Sequence, residues 1–195
     1  MAKHKNSNLA SYVRIEQAAI RSIRLETDLQ HKSMADGYVL TSQALAQLAR
    51  ILAGYRDKHP ARAWTLTGPY GSGKSYFGLF LMNLLSKNQP DHRAALRALK
   101  RADPILAREE VEKRLAGKHG FFPIPITGYR ASLQECLWNG LTRATQQLDT
   151  ENTSDRSAMK APRQPTTSRG FLKLLEQLAQ SAADQGYCGT LLIFD

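Results

Sequence analysis

Apolar and polar positions divide the chain into alternating helical and extended segments. Leu45, Leu48, Ile51, Leu52 and Tyr55 recur at three- and four-residue intervals, which puts them on one face of a helix over 41–55 with Thr41 or Ser42 as its cap. Lys74 to Leu85 predicts a second helix, with Phe77, Phe80, Leu81 and Leu84 on one face. Segment 91–117 reads as two helices, the first capped by Asp91. The second opens on Asp103-Pro104, because proline at the first helical position needs no donor. Ser132-Leu-Gln-Glu135 is a capping box, in which each side chain can satisfy a free backbone donor. The helix it opens carries Leu133, Leu137 and Leu141. Phe171 to Ala183 predicts another helix, with Phe171, Leu174, Leu175 and Leu178 inward and Gly186 closing it.

Three segments read as strands. Ala63-Trp-Thr-Leu-Thr67 is short and β-favouring and ends at Gly68. Phe121 to Ile126 contains two prolines, which remove ladder donors and predict an edge position. Gly189-Thr-Leu-Leu-Ile-Phe-Asp195 predicts a buried strand with an acidic end. Strand and helix alternate after residue 60, so the expected architecture is a parallel sheet with helices on both faces. The first 36 residues are less patterned. Val13, Ile20, Ile23 and Leu29 fit a helical stripe and Ile23-Arg-Leu25 alternates like a strand, so a helical segment or arm is expected there. Residues 150–169 are polar and rich in Pro, Ser and Thr, which predicts a long flexible loop.

The turn after the first strand changes the picture most. Gly68-Pro-Tyr-Gly-Ser-Gly-Lys-Ser75 matches G-x-x-x-x-G-K-[ST], the phosphate-binding loop. Glycines at 68, 71 and 73 let the backbone curl so that successive N–H groups point at an anion. The helix that follows adds the positive end of its dipole and its unpaired donors. Lys74 can bridge β- and γ-phosphates, and Ser75 offers a hydroxyl to Mg²⁺, which takes oxygen ligands. Four fixed positions occur by accident in about 1% of chains this long, so the strand-before, helix-after context matters, and the residue pattern predicts both. Asp195 ends an apolar strand, the form of a Walker B aspartate that holds Mg²⁺.

Composition narrows the setting. The chain has 195 residues, and 27 Lys and Arg against 17 Asp and Glu give +10, which favours polyanionic partners: nucleotide, nucleic acid or an acidic protein. Two cysteines, Cys136 and Cys188, build neither a disulfide framework nor a four-ligand zinc site. The longest apolar stretch, Tyr76 to Leu85, is too short to span a bilayer, and no apolar signal core follows the N-terminus. A cytoplasmic protein without a membrane partner is expected. The isolated histidines 4, 31, 59, 92 and 119 suggest no metal site.

Residues 37–195 resemble the first half of a P-loop ATPase core of the AAA+ and STAND kind, especially large bacterial ATP-binding proteins, some of them defence-associated. The matching pieces are Gly68 to Phe77, Pro125-Ile-Thr-Gly-Tyr-Arg130 and Gly189 to Asp195. The resemblance implies an α/β three-layer P-loop NTPase sandwich with a parallel sheet, incomplete at the Walker B strand and preceded by a helical N-terminal segment, 1–36. Within it, 91–118 would be a helical insertion. It implies ATP and Mg²⁺ as cofactors. Gly68, Pro69, Tyr70, Gly71, Ser72, Gly73, Lys74, Ser75 and Tyr76 would bind nucleotide, Ser75 and Asp195 would hold the metal, and Lys74 and Asp195 would serve catalysis. It implies a sheet ordered 5-1-4-3-2, in which a later strand separates the Walker A and Walker B strands. The glutamate that usually follows the Walker B aspartate would be residue 196. The expectation is therefore a fragment or one piece of a split ATPase that binds nucleotide with little hydrolysis of its own. Its partners would be the rest of the ATPase or another subunit, with nucleic acid a further candidate.

Two other functions fit the residues. A P-loop small-molecule kinase would use 91–118 as a basic lid and place the Walker B strand beside the Walker A strand. A basic nucleic-acid-binding module would carry an inert loop. Arg130 suits a contact with phosphate or a neighbouring subunit, or plain solvation. Tyr70 suits bracing of the loop, or covering the ribose. Tyr38-Val-Leu40 suits core packing or an adenine contact.

Overall fold

The computed structural model describes residues 22–32, 37–55, 62–151, 164–165 and 167–195. The stripe positions Val13 and Ile20, and most of the 150–169 loop, lie outside the described residues. At the edges of that loop the helices run further than expected: one extends to Glu151 and the next begins at Ser168.

The elements are α1 (Leu25–Asp28), α2 (Ser42–Gly54), α3 (Lys74–Leu85), α4 (His92–Ala102), α5 (Pro104–Leu106), a π-helical turn (Ala107–Glu112), β1 (Phe121–Ile126), α6 (Leu133–Glu151), α7 (Ser168–Asp184) and β2 (Gly189–Phe194). Their ends follow local chemistry. Thr41 accepts from Ala44 N at 3.2 Å. Asp103, in an extended conformation, accepts from Ile105 N and Leu106 N at 3.1 and 2.9 Å. Asp91 does not cap α4. Its φ of −101° and ψ of 11° lie outside the extended region that aims a cap side chain at the first turn. Half of the expected capping box forms. Ser132 Oγ accepts from Glu135 N at 3.2 Å, while the Glu135 carboxylate turns to the Tyr129 hydroxyl at 3.5 Å.

Among the described residues the sheet has two strands, β1 and β2, which pair in parallel with Phe121 opposite Gly189 and Ile126 opposite Phe194. Helices cover both faces. Phe122, Ile124, Ile126 and Leu192 pack against α6 and α7 through Leu141, Leu148, Leu174 and Leu178. On the other face Leu191 and Ile193 meet α3. Every residue of α3 from Phe77 to Leu85 is buried, not the single face expected, because three sets of neighbours enclose it. Leu48 and Leu52 of α2 and Leu99 of α4 cover one side, Leu25 and Leu29 the next, and the sheet the third. Gly78 allows the sheet contact: a Cβ there would lie 3.4 Å from Ile193 Cγ2. Truncating a core leucine such as Leu84 costs about 2–5 kcal/mol.

The two sheet edges differ. Asp195 N donates to Ile126 O at 2.9 Å, so even-numbered residues of β1 turn their backbone groups toward β2. Phe121, Pro123 and Pro125 face outward, and two of these three have no N–H. The prolines thus stand where a further strand would need donors. On β2 the backbone groups of Thr190, Leu192 and Phe194 face away from β1.

Ala63–Thr67 is not a strand. Residues 62–69 have no regular secondary structure and are exposed throughout. Their β-favouring composition needs a ladder neighbour to act on, and no described segment pairs with them. They stand across a cavity of about 650 Å³ from β2, with Arg62, Trp64 and Leu66 on one wall and Leu191 and Ile193 on the other. The Arg50 guanidinium lies 5.8 Å from the centre of the Trp64 ring.

Candidate functional site

Gly68 to Lys74 forms a tight loop running into α3. Ser72 N donates to Pro69 O at 3.3 Å, and Gly71 and Gly73 take φ of 78° and 82°. Those left-handed values are open to glycine and strained for other residues. Gly73 is the N-cap of α3 and has no side chain to accept from the first turn. The N–H groups of Lys74, Ser75 and Tyr76 therefore lack intrahelical partners, while Phe77 N, the next donor, reaches Gly73 O at 2.8 Å. The result is a cradle of outward donors at the positive end of a 12-residue helix.

Lys74 folds back over this loop. Its ammonium donates to Gly68 O at 3.0 Å, Pro69 O at 2.9 Å and Ser72 Oγ at 3.4 Å. The next residue reaches a distant part of the chain. Ser75 Oγ donates to Asp195 Oδ1 at 2.9 Å, across 120 positions. The two residues selected as metal ligands are thus neighbours in space. They sit where the N-terminus of α3 meets the carboxyl end of β2. Asp195 is anchored by its backbone as well: its N–H donates to Ile126 O at 2.9 Å and its carbonyl accepts from Gly128 N at 2.6 Å.

The remaining candidates separate. Tyr70 is 99% exposed, so it does not brace the loop; at the loop tip its ring has nothing to pack on. Tyr76 contributes its N–H to the first turn, but its ring leans on Tyr38, 5.0 Å between centroids. Tyr38 also packs on Phe80 at 4.8 Å, and burial, with Tyr76 beside it, raises its phenol above the ordinary range. Val39 is exposed. Arg130 is exposed beyond β1. Cys136 is buried in the core between β1 and the α6–α7 pair. Among the described residues no group of three His, Cys, Asp or Glu side chains converges, and no helix is long and apolar enough to cross a membrane.

One cluster has no local signal in the sequence. Glu26, just inside α1, accepts from Thr127 N at 3.1 Å and pairs with Arg143 of α6. Its carboxylate ties three elements together at the end of β1. The partners lie more than one hundred positions away, beyond any periodicity or spacing argument.

No protein-family model, curated protein or solved structure matches the chain.

Proposed function

We propose that this chain is an ATP-binding, Mg²⁺-dependent P-loop module of an ATPase of the AAA+ and STAND kind. The observation that carries the reading is the Ser75–Asp195 contact. A hydroxyl at the start of a helix and a carboxylate at the end of a strand, both oxygen donors, meet beside a loop with open N–H groups. That donor set suits Mg²⁺, and the uncapped first turn suits a phosphate chain. In this reading Mg²⁺ neutralises phosphate charge when bound. The N–H groups of 74–76 and the left-handed glycines hold the β-phosphate. Lys74 exchanges its bonds to Gly68 O and Pro69 O for phosphate oxygens, so the loop's own carbonyls keep the ammonium in place until nucleotide arrives.

The neighbourhood of β2 favours an ATPase over a kinase. β2 pairs with β1, while residues 62–66 stand across a cavity from it instead of beside it. This fits a sheet in which another strand separates the two, as the ATPase order implies, and not the kinase order. The chemistry assigned to this chain is capture and charge neutralisation of the nucleotide.

The test is binding of a fluorescent ATP analogue to wild type and Lys74→Ala, with and without Mg²⁺. Saturable Mg²⁺-dependent binding that Lys74→Ala abolishes is expected. Equal or absent binding in both folded proteins would overturn the proposal.

A further inference from the structure

A second cleft, of about 710 Å³, opens beyond the carboxyl end of β1 and is lined by Arg24, Glu26, Thr127, Tyr129, Asn139 and Arg143, among others. We propose that it holds the phosphate backbone and one stacked base of a single-stranded nucleic acid. Loops at the carboxyl ends of parallel strands are where such sheets bind ligands, and the phosphate loop occupies the neighbouring position.

Three features carry the proposal. The first is charge. Arg24 is exposed and makes no ion pair among the described residues, and the same holds for Arg130, next to Tyr129 in the chain. The acidic group in the lining, Glu26, is already committed to Thr127 N and Arg143. The Arg24 guanidinium in the lining is thus left for an anion, and Arg130, outside the lining, is a second exposed cation on the adjoining loop. The second is an aromatic platform. Asn139 Nδ2 donates to the Tyr129 hydroxyl at 2.5 Å, which holds the ring at its tip, while the residue is 51% exposed. A held, open aromatic in the same cleft as a free arginine is the arrangement that stacks an unpaired base and tracks its backbone. The third is the balance of the whole chain. An excess of +10 exceeds what one small anion requires and suits a polyanion. The cleft also adjoins the first site, since Gly128 N bonds Asp195 O.

The test is fluorescence anisotropy of a labelled oligo-dT with the full chain, without nucleotide, between 50 and 200 mM salt. Each phosphate contact contributes about 0.7 to the slope of log affinity against log salt for a single strand. The double variant Arg24→Ala, Arg130→Ala is expected to flatten that slope by about 1.4 units. Tyr129→Ala is expected to weaken binding about 5- to 150-fold at fixed salt without changing the slope, and Tyr129→Phe, which keeps the ring but loses the bond from Asn139, to recover part of that loss. Lys173→Ala, an exposed cation on α7, serves as the control and is expected to change neither. Lys74→Ala is expected to bind oligo-dT normally, so failure here is distinct from failure of the nucleotide site. Wild-type behaviour of the cleft variants, or an equal loss from Lys173→Ala, would overturn the proposal. Inorganic polyphosphate binding as tightly, with Tyr129→Ala neutral, would reassign the cleft to phosphate alone and also overturn it.

Discussion

Substituting Gly73 by alanine gives a stability change whose sign tests the loop conformation. Gly73 has a φ of 82°, and an added Cβ would meet no atom within 4 Å. There is no clash to consider, so the cost is backbone strain alone, about 1–2 kcal/mol for an L-residue in the left-handed region. Alanine also stiffens the unfolded chain, which offsets about 0.4–1 kcal/mol. The net expectation is a loss of about 0–1.6 kcal/mol, centred on about 0.8, or a melting temperature lower by up to about 6 °C at this chain length. Thermal unfolding followed by far-ultraviolet circular dichroism measures it. Gly71→Ala, at φ 78° and equally open, should behave alike. Gly68→Ala is the contrast: its φ is not left-handed, and its Cβ would meet only the rotatable Ser72 Oγ at 3.2 Å. Had Gly73 an ordinary negative φ, the unfolded-state term would act alone and alanine would raise the melting temperature. A rise would therefore refute the loop geometry and, with it, the open donors at the start of α3.

Other consequences can be measured on the same protein. Gly120→Ala should cost about 3 kcal/mol or more, because its Cβ would fall 2.1 Å from Leu85 O at a φ of 83°, so backbone must move; chemical denaturation would show it, and a loss under 1 kcal/mol would contradict the packing of the α3 end against β1. His92 supplies a pH dependence. Burial, partly offset by its contact with Asn83 O, holds the imidazole below its ordinary value of 6.5. A depressed folded value means that its contribution is complete above about pH 6.5 and is lost as pH falls through the folded value. The melting temperature of wild type relative to His92→Gln should therefore decline on acidification from pH 7 to 5, and a constant difference would contradict the burial.

Periodicity and caps located the helices because those signals are local. Thr41, Asp103 and the leucine stripe of 45–52 each act within one or two turns of the chain. Strand formation is not local. Ala63–Thr67 has the composition of a strand, yet it lies unpaired, since a ladder requires a neighbour that no residue pattern within the segment supplies. The reading of α3 as one-sided erred for a related reason: Leu79 and Met82 point at α1, a four-residue element with little signature of its own. Within the site, the motif from Gly68 to Ser75 leads to an expected backbone curl, and the structure places left-handed conformations at Gly71 and Gly73 but not at Gly68. The pairing of Ser75 with Asp195 followed from a chemical rule about oxygen ligands, not from sequence distance. Glu26, Thr127 and Arg143 carry no such rule and emerge only when α1, β1 and α6 are brought together.

The measurement that bears most directly on the central claim is a double-mutant cycle on Mg²⁺ enhancement of nucleotide affinity. Binding of the fluorescent ATP analogue would be compared with and without Mg²⁺ in wild type, Ser75→Ala, Asp195→Asn and the double variant. If Ser75 and Asp195 hold one ion, each single change removes most of the enhancement and the second adds little, a coupling of about 0.5–3 kcal/mol. Additive losses, or an affinity indifferent to Mg²⁺ in the wild type, would contradict the account and leave the 2.9 Å contact as a structural hydrogen bond alone.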